Sequence, residues 1–240
     1  MWLPPNYDIS KNKYPLLVHV HGAPGAVQIN ERFQVGWHTY LVANRSIVYV
    51  RIEGRGSQLV GQRARSSGHR RLGSLEVEDQ ILVVKELIQK YNYIDGAKVG
   101  IWGSSYGGYS ALLALALDED HVIKCGMAVS PIVSWRHYNA LYTERYMHFP
   151  TEDDNLVGYE EADVSNKADR LNSKMVLLLH GTVDTKVHFH HSLKMARALR
   201  GNGVAFRFQI YPGEGHGLRG VRPHVFRAME DFLEHCFPLD

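Results

Sequence analysis

The sequence predicts an α/β fold, a mostly parallel sheet with helices on both faces. Two observations predict it. Apolar strand-length runs alternate with amphipathic helix-length segments along nearly the whole chain, which is the pattern of a sheet covered on both sides. The stretch Val99-Gly100-Ile101-Trp102-Gly103-Ser104-Ser105-Tyr106-Gly107-Gly108-Tyr109 also reads as a buried strand, a tight turn and the start of a helix.

The elements follow in order. Tyr14 to Val20 is a largely apolar run, the expected first strand. Phe33 to Ala43 is expected to be a helix and Ser46 to Val50 a strand. Leu75 to Lys90 carries the strongest helical period, with Val77, Ile81, Val84 and Ile88 on one face. The strand from Val99 leads into a helix through Ala111-Leu112-Leu113-Ala114-Leu115. Cys125 to Val129 is a strand ended by Ser130-Pro131, and Ser134 to Arg170 is one long irregular insertion. Met175 to Leu179 is a strand, Leu193 to Leu199 a helix stopped by Gly201, and Phe206 to Tyr211 a strand. Val225, Met229, Phe232 and Cys236 share one face of a closing helix. No linker, repeat or low-complexity segment divides the chain, so residues 1–240 are expected to form one domain.

The turn after the strand from Val99 carries the chemistry. Gly103-Ser104-Ser105-Tyr106-Gly107 fits the G-x-S-x-G nucleophile elbow. A serine can enter so sharp a turn only if the residues two before and two after it are small. Only Ser105 satisfies this, because Ser104 lacks the flanking glycines. In parallel sheets ligands sit at the carboxyl ends of strands. The strand ending at Leu179 runs into His180-Gly181-Thr182-Val183-Asp184, and the strand ending at Tyr211 into Pro212-Gly213-Glu214-Gly215-His216. Ser105, Asp184 and His216 therefore follow separate strands, in the Ser-Asp-His order of the α/β-hydrolase fold. The roles follow from acidity. Histidine titrates near neutrality, so it can take the serine proton and return it. A carboxylate holds the imidazole in the right tautomer. His21-Gly22-Ala23-Pro24-Gly25, after the first strand, matches the place of the second oxyanion element.

Composition narrows the class. The chain has 240 residues, 45% of them hydrophobic and 22% charged, which suits one domain with a large core. A net charge of +2 argues against nucleic acid as a partner. No run is long and apolar enough for a membrane span, and Met1-Trp2-Leu3-Pro4-Pro5 lacks the features of a signal peptide. His188, His190 and His191 read as a surface cluster, not a metal site, since no carboxylate or cysteine stands at zinc spacing. Arg63, Arg65, Arg70 and Arg71 read as a solvated loop balanced by Glu76, Glu78 and Asp79. No metal and no cofactor are expected. Cys125 and Cys236 are open by number alone, to two core thiols or to one bridge.

These motifs resemble a known family over nearly the whole chain. Tyr14-Pro15-Leu16-Leu17, Gly54-Arg55-Gly56-Ser57, Arg71-Leu72-Gly73, Glu76-Val77-Glu78-Asp79-Gln80, Ser105-Tyr106-Gly107-Gly108-Tyr109, Tyr142-Thr143-Glu144-Arg145-Tyr146, His180-Gly181-Thr182 and Val187-His188-Phe189 are similar to the catalytic domain of the dipeptidyl-peptidase IV branch of the prolyl oligopeptidase family. The resemblance implies a serine peptidase that works through an acyl-enzyme and releases N-terminal X-Pro or X-Ala dipeptides. It places Ser105, Asp184 and His216 at the triad positions and the Tyr106 backbone N–H in the oxyanion hole. It matches Tyr106, Ile132, Trp135, Tyr138, Tyr142 and Val187 to an apolar pocket for proline or alanine. It also implies a Cys125–Cys236 disulfide, an extracellular or secreted setting and a homodimeric full-length protein.

Three departures stand out. The family's β-propeller, with the glutamates that hold a substrate's amino terminus, and its membrane anchor are absent, so the chain resembles an excised catalytic domain. His21 stands where active members carry a tyrosine, and His21-Gly22-Ala23-Pro24 is closer to the acylaminoacyl-peptidase side. Lys186 stands where active members have an asparagine that contacts the residue before proline, as in channel-associated relatives that have lost catalysis, although those also lack the serine that is kept here. Two further readings follow: a catalytically inactive protein that modulates a membrane partner, and a carboxylesterase on the same fold.

Overall fold

Six strands, all parallel, form the centre of the computed structural model, which describes residues 1–5, 7–8, 13–58 and 61–237. In chain order they are β1 (Tyr14–His19), β2 (Val48–Arg51), β3 (Ile94–Ser104), β4 (Cys125–Val129), β5 (Met175–Gly181) and β6 (Arg207–Tyr211). Their spatial order is β2-β1-β3-β4-β5-β6. The order reverses between β1 and β3, whose carboxyl ends carry His21 and Ser105. That reversal is the crevice where such sheets bind ligands.

Alternation along the strands fills two cores. Leu16 and Val18 of β1 and Val176 and Leu178 of β5 face one core, whereas Leu17, Leu177 and Leu179 face the other. The first core is closed by α3 (Leu75–Lys90), α4 (Tyr106–Leu117) and α7 (His190–Gly201), through Val77, Ile81, Val84, Met195 and Leu199. The second is closed by α1 (Trp37–Asn44) and α8 (Arg222–Cys236), through Trp37, Leu41, Val225, Met229 and Phe232. Helix α4 is buried from Tyr106 to Ala116, as expected of a helix that is apolar on all sides. Cys125 of β4 and Cys236 at the end of α8 are joined by a disulfide, their Cα atoms 6.3 Å apart.

Some expectations are corrected. The helix expected from Phe33 begins at Trp37, and Phe33 is 93% exposed. Residues 31–36 are exposed and gain nothing from helical packing. The helix after the elbow starts at Tyr106. A short α2 (Gln62–Arg65) occupies the basic loop. The insertion is not irregular. It holds α5 (Ala140–Met147), α6 (Leu156–Glu161) and 3-10 turns at Trp135–His137 and Val164–Leu171. His191 is no surface residue: it is 1% exposed, and its Nδ1 accepts the Val133 N–H at 3.1 Å. Glu76 is likewise buried, 4% exposed, because it turns inward from the first turn of α3. No helix among the described residues is long and apolar enough to cross a membrane.

Candidate active site

Strand β3 delivers Ser105 to a conformation that few side chains tolerate, φ 60° and ψ −118°. Close packing imposes it. A Cβ on Gly103 would lie 2.3 Å from the Gly107 backbone, and one on Gly107 would lie 2.2 Å from the Val20 carbonyl oxygen. The turn is pinned by the Ser105 N–H, which donates to the Val129 carbonyl at 2.9 Å. Ser105 caps α4, so the Tyr106 N–H opens that helix and has no acceptor within it. No hydrogen bond among the described residues uses the N–H of Gly22 or Ala23, at the end of β1. These N–H groups at neighbouring strand ends are where an oxyanion could be held.

Asp184 and His216 are brought together by stitching between the loops after β5 and β6. The Val183 N–H donates to the Glu214 carbonyl at 3.1 Å, the Thr182 N–H to Tyr211 at 3.1 Å, and the Gly213 N–H to Thr182 Oγ1 at 3.0 Å. His216 Nδ1 then lies 2.7 Å from Asp184 Oδ2. The other carboxylate oxygen, Oδ1, accepts the backbone N–H groups of Lys186 at 2.9 Å and Val187 at 3.0 Å. Burial would push the Asp184 carboxyl up, but the donors from His180, His216, Val187 and Lys186 outweigh it and hold the group well below the usual carboxylate range. No hydrogen bond among the described residues joins the Ser105 hydroxyl to His216; apo sites often have this contact open.

The aromatic residues meet as a group. The Tyr106 and Trp135 rings are 5.4 Å apart, Trp135 and Tyr138 pack edge to face at 5.6 Å, and Trp135 and Tyr142 stack at 6.0 Å. Ile132 and Val187 are buried, whereas Lys186 is exposed. Tyr138, Tyr142, Arg145 and Lys186 line a cavity of about 360 Å³. Tyr138 ends the 3-10 turn at Trp135–His137, and α5 presents Tyr142, its start fixed by the Asn139 side chain, which accepts the Tyr142 N–H at 3.1 Å. His21 is mostly buried: its Nδ1 has no hydrogen-bond partner among the described residues, and burial lowers its pKa despite the nearby Glu53 carboxylate. A neutral imidazole is therefore the form this pocket favours.

Two residues with no role assigned from the sequence touch these site residues, one at the rings and one at Asp184. The Tyr106 hydroxyl donates to buried Glu76 Oε1 at 2.6 Å. His180 Nε2 lies 3.2 Å from Asp184 Oδ2. A signal for His180 lies in its i, i+4 spacing to Asp184, but the turn between them decides whether the two meet. Among the described residues no group of three or more His, Cys, Asp or Glu side chains could hold a metal ion.

A strained serine between a parallel strand and a helix, with an aspartate and a histidine paired at later strand ends, defines an α/β-hydrolase fold. The model of the prolyl oligopeptidase family matches residues 33–239, and the chain belongs to that family. It is 42% identical over 236 residues to venom dipeptidyl peptidase 4 of Apis mellifera, covering 98% of this chain and 30% of the relative. It is 42% identical over 240 residues to the Homo sapiens prolyl endopeptidase FAP, covering 100% of this chain and 31% of the relative. A crystal structure of Porphyromonas gingivalis dipeptidyl peptidase 4 superposes with a TM-score of 0.90 at 32% identity, over 96% of this chain and 32% of that one. The chain thus spans about a third of the length of these relatives.

Proposed function

We propose that this chain is the catalytic module of a serine peptidase that releases N-terminal dipeptides ending in proline or alanine. The observation that carries the reading is the pairing of His216 Nδ1 with buried Asp184 Oδ2 at 2.7 Å, in the loops that follow β6 and β5 of the sheet whose β3 ends in the strained Ser105. With Nδ1 engaged, the remaining nitrogen, Nε2, is the one that serves the serine. Ser105 Oγ attacks the scissile carbonyl while His216 Nε2 takes its proton. The oxyanion is held by the Tyr106 N–H and by a backbone N–H of the Gly22 segment. His216 then protonates the leaving amine as the C–N bond breaks, leaving an acyl ester on Ser105. Water attacks that ester, its proton passes to His216, and Ser105 recovers it as the ester C–O bond breaks.

The ring group of Tyr106, Trp135, Tyr138 and Tyr142, closed by Ile132 and Val187, suits a flat pyrrolidine ring that asks for no hydrogen bond. Relatives named dipeptidyl peptidase 4 and prolyl endopeptidase support a substrate with proline before the scissile bond. The Cys125–Cys236 bridge and a venom relative favour a secreted or cell-surface setting. A homodimer of the full-length protein belongs to the same reading.

Fluorophosphonate labelling of the full chain tests the nucleophile. Ser105→Ala is expected to abolish labelling and Ser104→Ala to leave it; labelling that survives Ser105→Ala overturns the assignment. Faster turnover of simple esters than of Gly-Pro amides would favour the carboxylesterase instead, and an unlabelled but folded wild type the inactive binding protein.

A further inference from the structure

His180 has no exposure to solvent and lies near the end of β5. Its Nε2 is 2.9 Å from the Val187 carbonyl oxygen and 3.2 Å from Asp184 Oδ2. Both neighbours only accept, so Nε2 carries a hydrogen. Nδ1 lies 2.7 Å from Ser192 Oγ on α7. The two acceptors fix the hydrogen on Nε2, which donates to the Val187 carbonyl, the shorter contact, and faces Asp184 Oδ2 beside it; Nδ1 of the neutral imidazole then accepts the Ser192 hydroxyl. The Phe189 ring packs edge to face at 5.6 Å and restrains rotation of the imidazole. The ionisable groups around it are Asp184 itself, His216 through that carboxylate, and buried His191 on α7.

Asp184 Oδ2 thus takes the His216 hydrogen bond and shares with the Val187 carbonyl the single Nε2 hydrogen of His180, while Oδ1 takes two backbone N–H groups. We propose that His180, held by Ser192, is a positioning residue that fixes the Asp184 carboxylate for His216 and shares its charge. This inference rests on the triad reading of Ser105, Asp184 and His216. Without His180, Oδ2 loses its share of the Nε2 hydrogen, and the carboxylate is held only by the two backbone N–H groups on Oδ1 and by His216 itself. It also becomes a stronger acceptor for the His216 Nδ1–H, since fewer donors share its charge.

The test compares His180→Leu, which removes the donor, with His180→Gln, whose amide N–H reaches toward the position of Nε2. Ser192→Ala, a small excision that leaves His180 in place, serves should His180→Leu fail to fold. In the full chain, His180→Leu is expected to lower kcat on a Gly-Pro amide by about ten- to a hundredfold with KM within about twofold, the cost of misplacing a catalytic group. The acid limb of the kcat/KM profile is expected to move to higher pH, and the His216 Nδ1–H proton resonance downfield. His180→Gln should restore most of each change, and Ser192→Ala should produce smaller changes in the same directions. Folded His180→Leu or Ser192→Ala protein with an unmoved acid limb and an unmoved His216 resonance overturns the inference. So does a loss of kcat that His180→Gln does not recover. If Ser105→Ala still labels, the triad reading itself fails; if Ser105 labels normally while these variants are silent, only the role of His180 falls.

Discussion

Buried histidines divide by what meets their nitrogens. His191 is 1% exposed, and burial pushes it down to about 4. It is neutral when folded, whereas in the unfolded chain it titrates near the ordinary histidine value of about 6.5. The unfolded state therefore takes up the proton first as pH falls. The stability from keeping His191 neutral is complete above about pH 6.5 and fades toward pH 4, a loss of about 3 kcal/mol. His191→Asn keeps an acceptor for the Val133 N–H and cannot titrate. Urea midpoints between pH 7 and 4 should fall less steeply in that variant than in the wild type; parallel curves would refute the assignment. His21 poses the other question at this scale. Among the described residues its buried Nδ1 has no hydrogen-bond partner, and the Gly22 and Ala23 N–H groups make no hydrogen bond. His21→Ala should then cost less than about tenfold in kcat, or about 1.4 kcal/mol. A loss of about a hundredfold or more, the usual cost of removing an oxyanion donor, would show that the ring itself donates.

Between β3 and α4 the element boundary is set by space. A Cβ at position 107 would lie 2.2 Å from the Val20 carbonyl oxygen, a backbone atom just past the end of β1 that cannot give way. Gly107→Ala should destabilise by about 3 kcal/mol, read as a lowered urea midpoint together with lost fluorophosphonate labelling. Gly201, at the end of α7, has nothing within 4 Å of the same virtual atom, so Gly201→Ala should leave the midpoint unchanged or slightly raised. Equal effects at both sites would remove packing as the cause. Helix α3 was fully legible because one apolar face persists over its 16 residues. The 8-residue α5 and the 6-residue α6 were not, since such short helices carry too few turns for a period to emerge. Their stability comes from the Asn139 cap and from packing under Tyr159 and Met147.

For the whole molecule, one covalent tie links the sheet to the final helix. The Cys125–Cys236 bridge spans a sequence separation of 111. Closing so long a loop restricts the unfolded chain by about 4–5 kcal/mol in the chain-entropy model. Cys236→Ser, or reduction in the folded state, should lower the denaturation midpoint accordingly. Oxidised, denatured protein should titrate no free thiols; two reactive thiols would refute the bridge and weaken the case for an extracellular setting. Number and spacing left the two cysteines open, and only the likeness to a family pointed to a pair. The reason is geometric: β4 and α8 meet only after the sheet has formed.

Local residue patterns are enough to set the order and type of the major elements, the elbow at Ser105 and the strand ends that carry Asp184 and His216. These are encoded locally, in apolar period, glycine spacing and the rule that parallel sheets expose their carboxyl ends. Which side chains meet across those ends is settled by packing between segments far apart in the chain. Glu76 reads as one of a run of surface acids yet lies under the Tyr106 hydroxyl, and His191 reads as one of three surface histidines yet caps the Val133 N–H. Ser192 reaches His180 only because α7 packs back onto β5. Burial and hydrogen-bond partnership depend on where distant segments pack, and no local pattern of residues records that distance.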